Sequence, residues 1–210
     1  LEKVRSTLSF RQEIDVDGLI RTFDEDGCLE TRRALFAQLQ QKAVVVEGHD
    51  EHGHSTYLFR PRNVVSHDKE WTMKQHVYTL ERAIANSRNG GKVNAVVDFD
   101  GFGRQHAPPT SLGRHFLRTF QNHYAGTINE VYLVNAPAAF VAIWTVLKPM
   151  IGRSVQRRIH FVNTNKRGGS ANLLKAYPSS PSWLKSNNDD FDLSEYLQRP
   201  FDRACYSSTS

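Results

Sequence analysis

The chain has 210 residues, of which 39% are hydrophobic and 23% are charged, and its formal net charge is +5. This length suits one large domain, and the clustering of the apolar residues in blocks argues against a disordered chain. The basic excess favours an anionic partner such as a membrane surface, but no run of Lys and Arg forms a nucleic-acid-binding arm, so we expect no nucleic acid partner.

Apolar runs in the sequence all fall short of the ~18 residues that are needed to span a bilayer. The first residues also lack the apolar core of a signal peptide. We therefore expect a cytoplasmic protein that is peripheral at membranes.

The N-terminal part of the chain predicts helices followed by a hairpin. Two apolar stripes at helical spacing, separated by an acidic break at residues 24–27, predict two short helices in the first forty residues. Residues 44–46 and 56–59 predict two β-strands that are joined by a long polar tip at residues 49–53.

The rest of the chain alternates between helices and buried strands. Helices are predicted at residues 70–87, around 116–120 and at 138–147, and strands at 92–99, 130–134 and 159–162. This order indicates an α/β fold with a mostly parallel sheet. Beyond Tyr177 the composition shifts to Ser, Pro, Asn and Asp, which predicts an irregular tail.

One stretch of the chain carries a family signature. It begins with Tyr-Leu-Val-Asn-Ala-Pro at residues 132–137, continues through Phe140 and Trp144 to Lys148-Pro149, and ends at residues 159–161. This stretch resembles the strand, Asn-Ala-Pro, helix and Lys-Pro-Phe signature of the CRAL-TRIO domain. That family includes the yeast phosphatidylinositol/phosphatidylcholine transfer protein, the tocopherol transfer protein and cellular retinaldehyde-binding protein.

Other segments match the same family in the same order. Residues 96–102 resemble its second strand with an Asp and a Gly, and residues 116–124 resemble the helix that ends with a Tyr. Residues 8–11 resemble the end of the family's helical preface, and residues 59–62 its first strand. The resemblance covers roughly residues 4–176.

The resemblance implies a β-sheet floor covered by helices, with a hydrophobic pocket and a mobile helical gate. It divides the chain into a helical preface at 1–40, a lipid-binding core at 41–176 and an irregular tail at 177–210. The implied function is to bind a lipid, of phospholipid or phosphoinositide type, and to carry or present it between membranes. We expect a bound lipid, no other cofactor and no enzymatic activity.

The resemblance places the gate at residues 138–147 and 150–157. One face of the first segment carries four large apolar side chains at helical spacing: Phe140, Ile143, Trp144 and Leu147. This stripe is either ordinary core or a wall that faces the lipid. Pro149 and Gly152 follow it and mark either a hinge or a simple corner.

Strand residues two positions apart share a face, which makes Val97 with Phe99, and Tyr132 with Val134, candidates for the pocket floor. The pattern leaves open which face of the sheet meets the pocket. The predicted lipid-contacting side chains are Phe59, Tyr78, Val97, Phe99, Phe102, Phe116, Phe120, Tyr124, Tyr132, Val134, Phe140, Ile143, Trp144, Leu147 and Ile151.

The candidate headgroup contacts depart from the family pattern. Members that transfer phospholipids use small hydroxyl residues after the second-strand Gly and after Asn-Ala-Pro, but residues 102–105 and 138–141 contain no Ser or Thr. Lys185 is a rough candidate for the family's phosphoinositide lysine. The other basic candidates for contact with a headgroup or a membrane are Arg60, Arg62, Arg104, Lys148, Arg153, Arg157 and Arg158. For the first three, a surface position is the alternative.

Other chemistry finds little support in the sequence. His49, His52 and His54 lie at a hairpin tip with no helix to set their geometry, so we expect no metal site. Residues 101–103 lack the third glycine of a dinucleotide-binding loop, and no nucleophile motif such as Gly-x-Ser-x-Gly is present.

An alternative function is a protein-interaction module of the same fold. In that case bulky side chains would fill the pocket, and a partner such as a small GTPase would bind the surface. The side chains capable of filling it are Phe116, Phe120, Phe140 and Trp144.

Overall fold

The computed structural model describes residues 2–65, 68–107, 109–124, 126–178 and 192–198, with the backbone alone at 104, 110, 143, 146, 147 and 150. The described residues form one sheet with the strand order β1-β2-β3-β4-β5. Its strands are β1 (Val44–His49), β2 (Ser55–Phe59), β3 (Val93–Asp98), β4 (Ile128–Val134) and β5 (Ile159–Val162). β1 and β2 pair antiparallel as the predicted hairpin, and the remaining pairs are parallel. The predicted α/β class is confirmed.

Helices precede the sheet and connect its strands. They are α1 (Glu2–Ile14), α2 (Val16–Ile20), α3 (Leu29–Leu39), α4 (Lys69–Asn86), α5 (Thr110–His123), α6 (Ala138–Leu147), α7 (Arg153–Gln156), α8 (Ala171–Ala176) and α9 (Leu193–Gln198). No helix within the described ranges has both the length and the apolar character that crossing a bilayer requires.

The chain begins with three helices where the apolar pattern predicted two. Asp15 separates α1 from α2, because its backbone adopts a left-handed conformation with a φ of 55°. Its carboxylate accepts a hydrogen bond from the Gly18 amide at 3.2 Å, which caps the start of α2. The hydrophobic stripe therefore continues across a break that periodicity alone does not reveal.

Side chains alternate between the two faces of the sheet, as the two-residue period of a strand requires. Tyr57 and Val93 belong to the hydrophobic cluster on the front face, which also includes residues of α1 to α4. Leu58 and Val96, each one position away in the alternation, belong to the back-face cluster together with Leu173 of α8. The front face thus packs against most of the helices.

A buried polar contact ties α1 to α5 through α4. Arg11 of α1 donates a hydrogen bond to Glu81 of α4 at 2.8 Å, and the hydroxyl of Tyr124, directly after α5, donates to the same carboxylate oxygen at 2.7 Å. Phe10 stacks on His123 at the end of α5, with ring centroids 4.2 Å apart. Three helices that are distant in sequence are therefore fastened together at one point.

The C-terminal segment contains more order than its composition predicts. α9 lies within the part predicted to be irregular, and its Tyr196 is buried. The Arg82 guanidinium of α4 lies over the Tyr196 ring at 4.4 Å and donates a hydrogen bond to the Tyr196 carbonyl. Tyr177 is also buried. The polar composition around Tyr177 and Tyr196 predicted an irregular segment, so the sequence analysis did not identify these two side chains as buried.

Candidate functional site

A cavity of about 590 Å³ lies between the front face of the sheet and the helices α4, α5 and α6. Pockets for small molecules range over about 300–1,000 Å³, so this one has room for a single ligand. Its strand-borne lining consists of Tyr57, Phe59, Ala95, Val97, Ile128, Val131, Leu133 and Ile159. The rest of the lining consists of His76, Leu80, Gly113, Phe116, Leu117, Phe120, Gln121, Phe140, Trp144, Ile151, Gly152, Val155 and Arg158.

α5 supplies the aromatic part of the roof. Phe116 and Phe120 are four residues apart, so they lie on one face of the helix, and their ring centroids are 6.1 Å apart. Gly113 and Leu117 fall on the same face and also line the cavity. The helical spacing read from the sequence thus corresponds to a wall of the cavity.

α6 closes the cavity on the side of β5. Phe140 and Trp144 both line it, whereas the side chains of Ile143 and Leu147 are outside the described part of the structure. The Trp144 ring contacts Phe161 of β5 edge-on, with a centroid distance of 5.8 Å, and Phe140 contacts Phe99 at 4.5 Å. The described part of the predicted stripe is therefore a wall of the cavity.

Some of the predicted pocket residues lie elsewhere. Tyr132 and Val134 were placed on the pocket floor, which is wrong: they belong to the back-face cluster, and Leu133 between them lines the cavity. The last four residues of β4, 131–134, are apolar on both faces, so this part of the sequence carries no alternation that distinguishes them.

Tyr78, Tyr124, Phe99 and Phe102 also do not line the cavity. Tyr78 packs edge-on against Phe23 in the front core, and Tyr124 is held by its hydrogen bond to Glu81. Phe99 and Phe102 pack on each other beyond the end of β3, with a centroid distance of 5.5 Å. The predicted side chains that do line it are Phe59, Val97, Phe116, Phe120, Phe140, Trp144 and Ile151.

The most buried polar groups of the cavity wall were missed by the sequence analysis. His76 of α4 is 4% exposed, and its Nδ1 shares a hydrogen bond with the hydroxyl of Tyr57 on β2. Burial lowers the pKa of His76 to about 3 and raises the pKa of Tyr57 well above its ordinary value, so both groups are neutral at physiological pH. Two polar side chains thus meet in an otherwise apolar wall.

The arginines that follow β2 bind protein carboxylates. Arg60 is fully buried, with its Nε 3.6 Å from Asp98, and Arg62 donates to the same carboxylate oxygen at 2.9 Å. Arg62 also donates to the backbone carbonyl of Asp100 at 2.8 Å. Both proposed positions, on a phosphate or on the open surface, are therefore wrong for Arg60. Arg62 binds groups at and just after the end of β3. The Arg104 side chain and Lys185 lie outside the described residues.

Four other predicted basic residues are exposed beside the cavity. Lys148 follows α6, and Arg153, Arg157 and Arg158 lie in and after α7. Arg158 also lines the cavity, and it donates a hydrogen bond to the Ile128 carbonyl at 3.2 Å. Arg158 thus lies at the cavity itself, and the other three are exposed on the segment that also contributes Ile151, Gly152 and Val155 to the lining.

The histidines of the hairpin tip make protein contacts. His54 donates from Nδ1 to Asp50 at 2.7 Å, and the ring of His49 bonds to the Asn86 carbonyl at 2.7 Å. Asp50 in turn accepts hydrogen bonds from the amides of His52 and His54. These interactions hold the tip of the hairpin in place.

The fold and cavity place the chain among α/β proteins with an apolar pocket between a sheet and its helices. A family model for the CRAL/TRIO domain matches residues 39–180, and the chain belongs to that family, which confirms the identification made from the sequence motifs. The family is one of lipid binding and transfer.

The crystal structure of Sfh5 is similar, with a TM-score of 0.59 and 12% sequence identity. The match covers 78% of this chain and 60% of that chain, so this chain spans less than two thirds of the solved structure's length. A likeness at this level of identity shows a shared fold.

Proposed function

We propose that this protein binds one hydrophobic lipid in its cavity and carries or presents it between membranes. The apolar cavity of about 590 Å³ is the observation on which the proposal depends. Each methylene buried there contributes ~0.8 kcal/mol, so a lipid is held by contact area and needs no reactive group. We accordingly propose a carrier and not an enzyme.

The outer surface of α6 supports docking on a membrane. Its outward residues include Ala138, Ala142 and Val141, and Val141 is 41% exposed. A helix that is apolar on all sides is normally buried in a protein core or in a membrane. Because these described residues of α6 are exposed while Phe140 and Trp144 face the cavity, we propose that the outer side of the helix contacts the bilayer.

The exposed cations beside α6 complement an anionic bilayer. Lys148, Arg153 and Arg157 surround the end of the helix, and each basic residue near such a surface contributes about 1 kcal/mol of attraction. The same three side chains are candidates for contact with a phosphorylated headgroup at the cavity rim. A phosphoinositide-type ligand would therefore place its headgroup near α7.

The cavity favours this function over an interaction module with a self-filled pocket. The four bulky aromatic side chains proposed to fill the pocket instead line it: Phe116, Phe120, Phe140 and Trp144. An apolar cavity of this size is a typical binding site for an apolar molecule. This observation supports a ligand rather than a closed core.

The proposal is tested by native mass spectrometry of the purified protein, followed by extraction and identification of the bound molecule. Trp144→Asp puts a charge on the cavity wall and should reduce lipid loading at least tenfold, because an unpaired buried charge is costly. Ala37→Asp is the matched control, since Ala37 is exposed on α3, which does not line the cavity, and its substitution should leave loading unchanged.

A second readout tests the membrane step. Co-sedimentation with vesicles that contain phosphatidylserine should weaken with added salt and in Thr145→Asp, which puts a negative charge on the outer side of α6. A protein that shows neither bound lipid nor vesicle-to-vesicle transfer would disprove the carrier function. A partner protein bound to a ligand-free chain would favour the interaction module.

A further inference from the structure

We propose that Tyr57 and His76 form a polar anchor that hydrogen-bonds a neutral oxygen, hydroxyl or carbonyl, on the part of the ligand that is buried at the β2 end of the cavity. This inference rests on the proposed function, because it assigns a chemical class to the ligand of the same cavity. The two residues come from different elements, β2 and α4, and meet in the cavity wall.

The anchor has unused hydrogen-bonding capacity. Nδ1 of His76 is engaged with the Tyr57 hydroxyl, and within the described part of the chain the structure gives Nε2 no hydrogen bond. In a neutral imidazole one nitrogen is a donor and the other an acceptor. If Tyr57 donates to Nδ1, then Nε2–H is left over, and if Nδ1–H donates, the Tyr57 hydroxyl is left over. Either arrangement keeps one donor for a ligand oxygen.

The surroundings of the anchor select against a charged group. The His76 ring packs against Phe59 and Phe116, with centroid distances of 4.9 and 4.5 Å, and Tyr57 is 6% exposed. A carboxylate or phosphate buried among these rings would have no cation to pair with, which is costly. A neutral hydroxyl or carbonyl loses much less on desolvation, and its hydrogen bond to the anchor compensates.

The position of the anchor sets the direction of the ligand. Tyr57 lies on β2, whereas Arg158 and Ile159 line the cavity beside β5, three strand spacings or roughly 14 Å away. Arg158 is exposed and cationic. The neutral oxygen is therefore held at the β2 end, and any acidic group of a ligand is held at the β5 end.

Competition against a cavity-bound fluorescent apolar dye, Nile red, tests the anchor with four twelve-carbon probes. Dodecane, 1-dodecanol, 2-dodecanone and dodecanoate share a chain and differ in the polar group. Wild-type protein should bind dodecanol or dodecanone about tenfold tighter than dodecane, which corresponds to one net hydrogen bond. The better of the two neutral probes shows whether the anchor prefers a hydroxyl or a carbonyl oxygen.

Variants assign the preference to the anchor. Tyr57→Phe and His76→Phe should each remove the preference over dodecane, while dodecanoate keeps its affinity because its carboxylate binds at the opposite end. Tyr132→Phe, on the back face of the same sheet, is the matched control and should keep the preference. Equal affinity of wild type for dodecane and both neutral probes, or a preference that survives in both anchor variants, would overturn the anchor alone. Failure of Nile red and all four probes to bind would overturn the proposed function and the anchor together.

Discussion

The two faces of the sheet use the same strands for opposite purposes. On the front face, Phe59 and Val97 line a cavity. On the back face, one residue out of phase with these, Leu58 and Val96 are fully buried against α8. The front face therefore borders a cavity, whereas the residues of the back-face cluster are closely packed.

The back face also carries a buried polar network, whereas the cavity has the single Tyr57–His76 pair at its buried end. Asn94 donates to Asp50 at 2.8 Å, and Thr56 shares a hydrogen bond of 2.7 Å with the hydroxyl of Tyr177 after α8. Asn129 of β4 joins the network by donating to Asn94 at 3.0 Å. A network whose members satisfy one another makes a unique, rigid arrangement. Rigidity on one face thus supports an open cavity on the other.

The largest expected effect comes from breaking the back network. Asp50→Ala removes the acceptor for His54, Asn94 and two backbone amides, and it should lower the free energy of unfolding by about 3 kcal/mol. Urea denaturation measures this loss. Glu51→Ala, an exposed neighbour, is the control and should change stability by less than about 0.5 kcal/mol. Equal effects of the two substitutions would show that the network adds no stability.

A smaller loss of stability is expected when the pH is lowered, because of the buried His76 on the front side of the sheet. The pKa of His76 is lowered to about 3 by burial, so the unfolded chain binds this proton below pH ~6.5 while the folded chain does not. The free energy of unfolding should therefore fall as the pH decreases, with this histidine contributing about 1.4 kcal/mol per pH unit between roughly pH 6 and 4.

Urea titrations of wild type and His76→Gln over this range isolate the contribution of this residue. The variant should lose most of that slope, while His123, whose pKa is also lowered by burial and by Lys3, is common to both proteins. Parallel pH dependences in the two proteins would contradict a neutral, buried His76.

The smallest expected effect is the difference in stability between substitutions of two adjacent valines of β3, one on each face of the sheet. Val96→Ala on the packed back face should cost about 2 kcal/mol, whereas Val97→Ala on the cavity side should cost less than about 1 kcal/mol, because its methyl groups border open space. Thermal or urea unfolding measures both. Val97→Ala should also change lipid loading, and Val96→Ala should not. Equal losses of stability would mean that the cavity is collapsed in solution.

Sequence patterns predicted the architecture well because strands, helices and family motifs are local signals. The two-residue period placed Val97, and the helical period placed Phe116 and Phe120, where they line the cavity. The same reasoning failed for β4, whose apolar residues offer no contrast between faces. Pairing with β3 decides which residues of β4 face the cavity, because it puts Leu133 beside Val97. This register depends on contacts between distant parts of the chain, so the sequence of β4 alone does not reveal it.

The buried polar residues were harder to predict. His76 follows Lys74 and Gln75, so its neighbourhood reads as a solvated helix face, yet α4 is enclosed on almost every side. Arg60 finds its carboxylate partner Asp98 on a different strand. Contacts between residues distant in sequence leave no periodic trace, and one of them, between Tyr57 and His76, gives the cavity wall its polar site.

The contact of Arg11 and Tyr124 with Glu81 has a consequence for how a ligand enters. It anchors one wall of the cavity, since α5 cannot swing outward without separating the buried hydroxyl of Tyr124 from the buried carboxylate of Glu81. α6 is held by ring contacts of Phe140 and Trp144 and is followed by a turn at Gly152, where α7 begins. The α5 wall of the cavity is therefore tied to α1 and α4, and we propose that a ligand enters on the α6 side, next to the exposed Arg158.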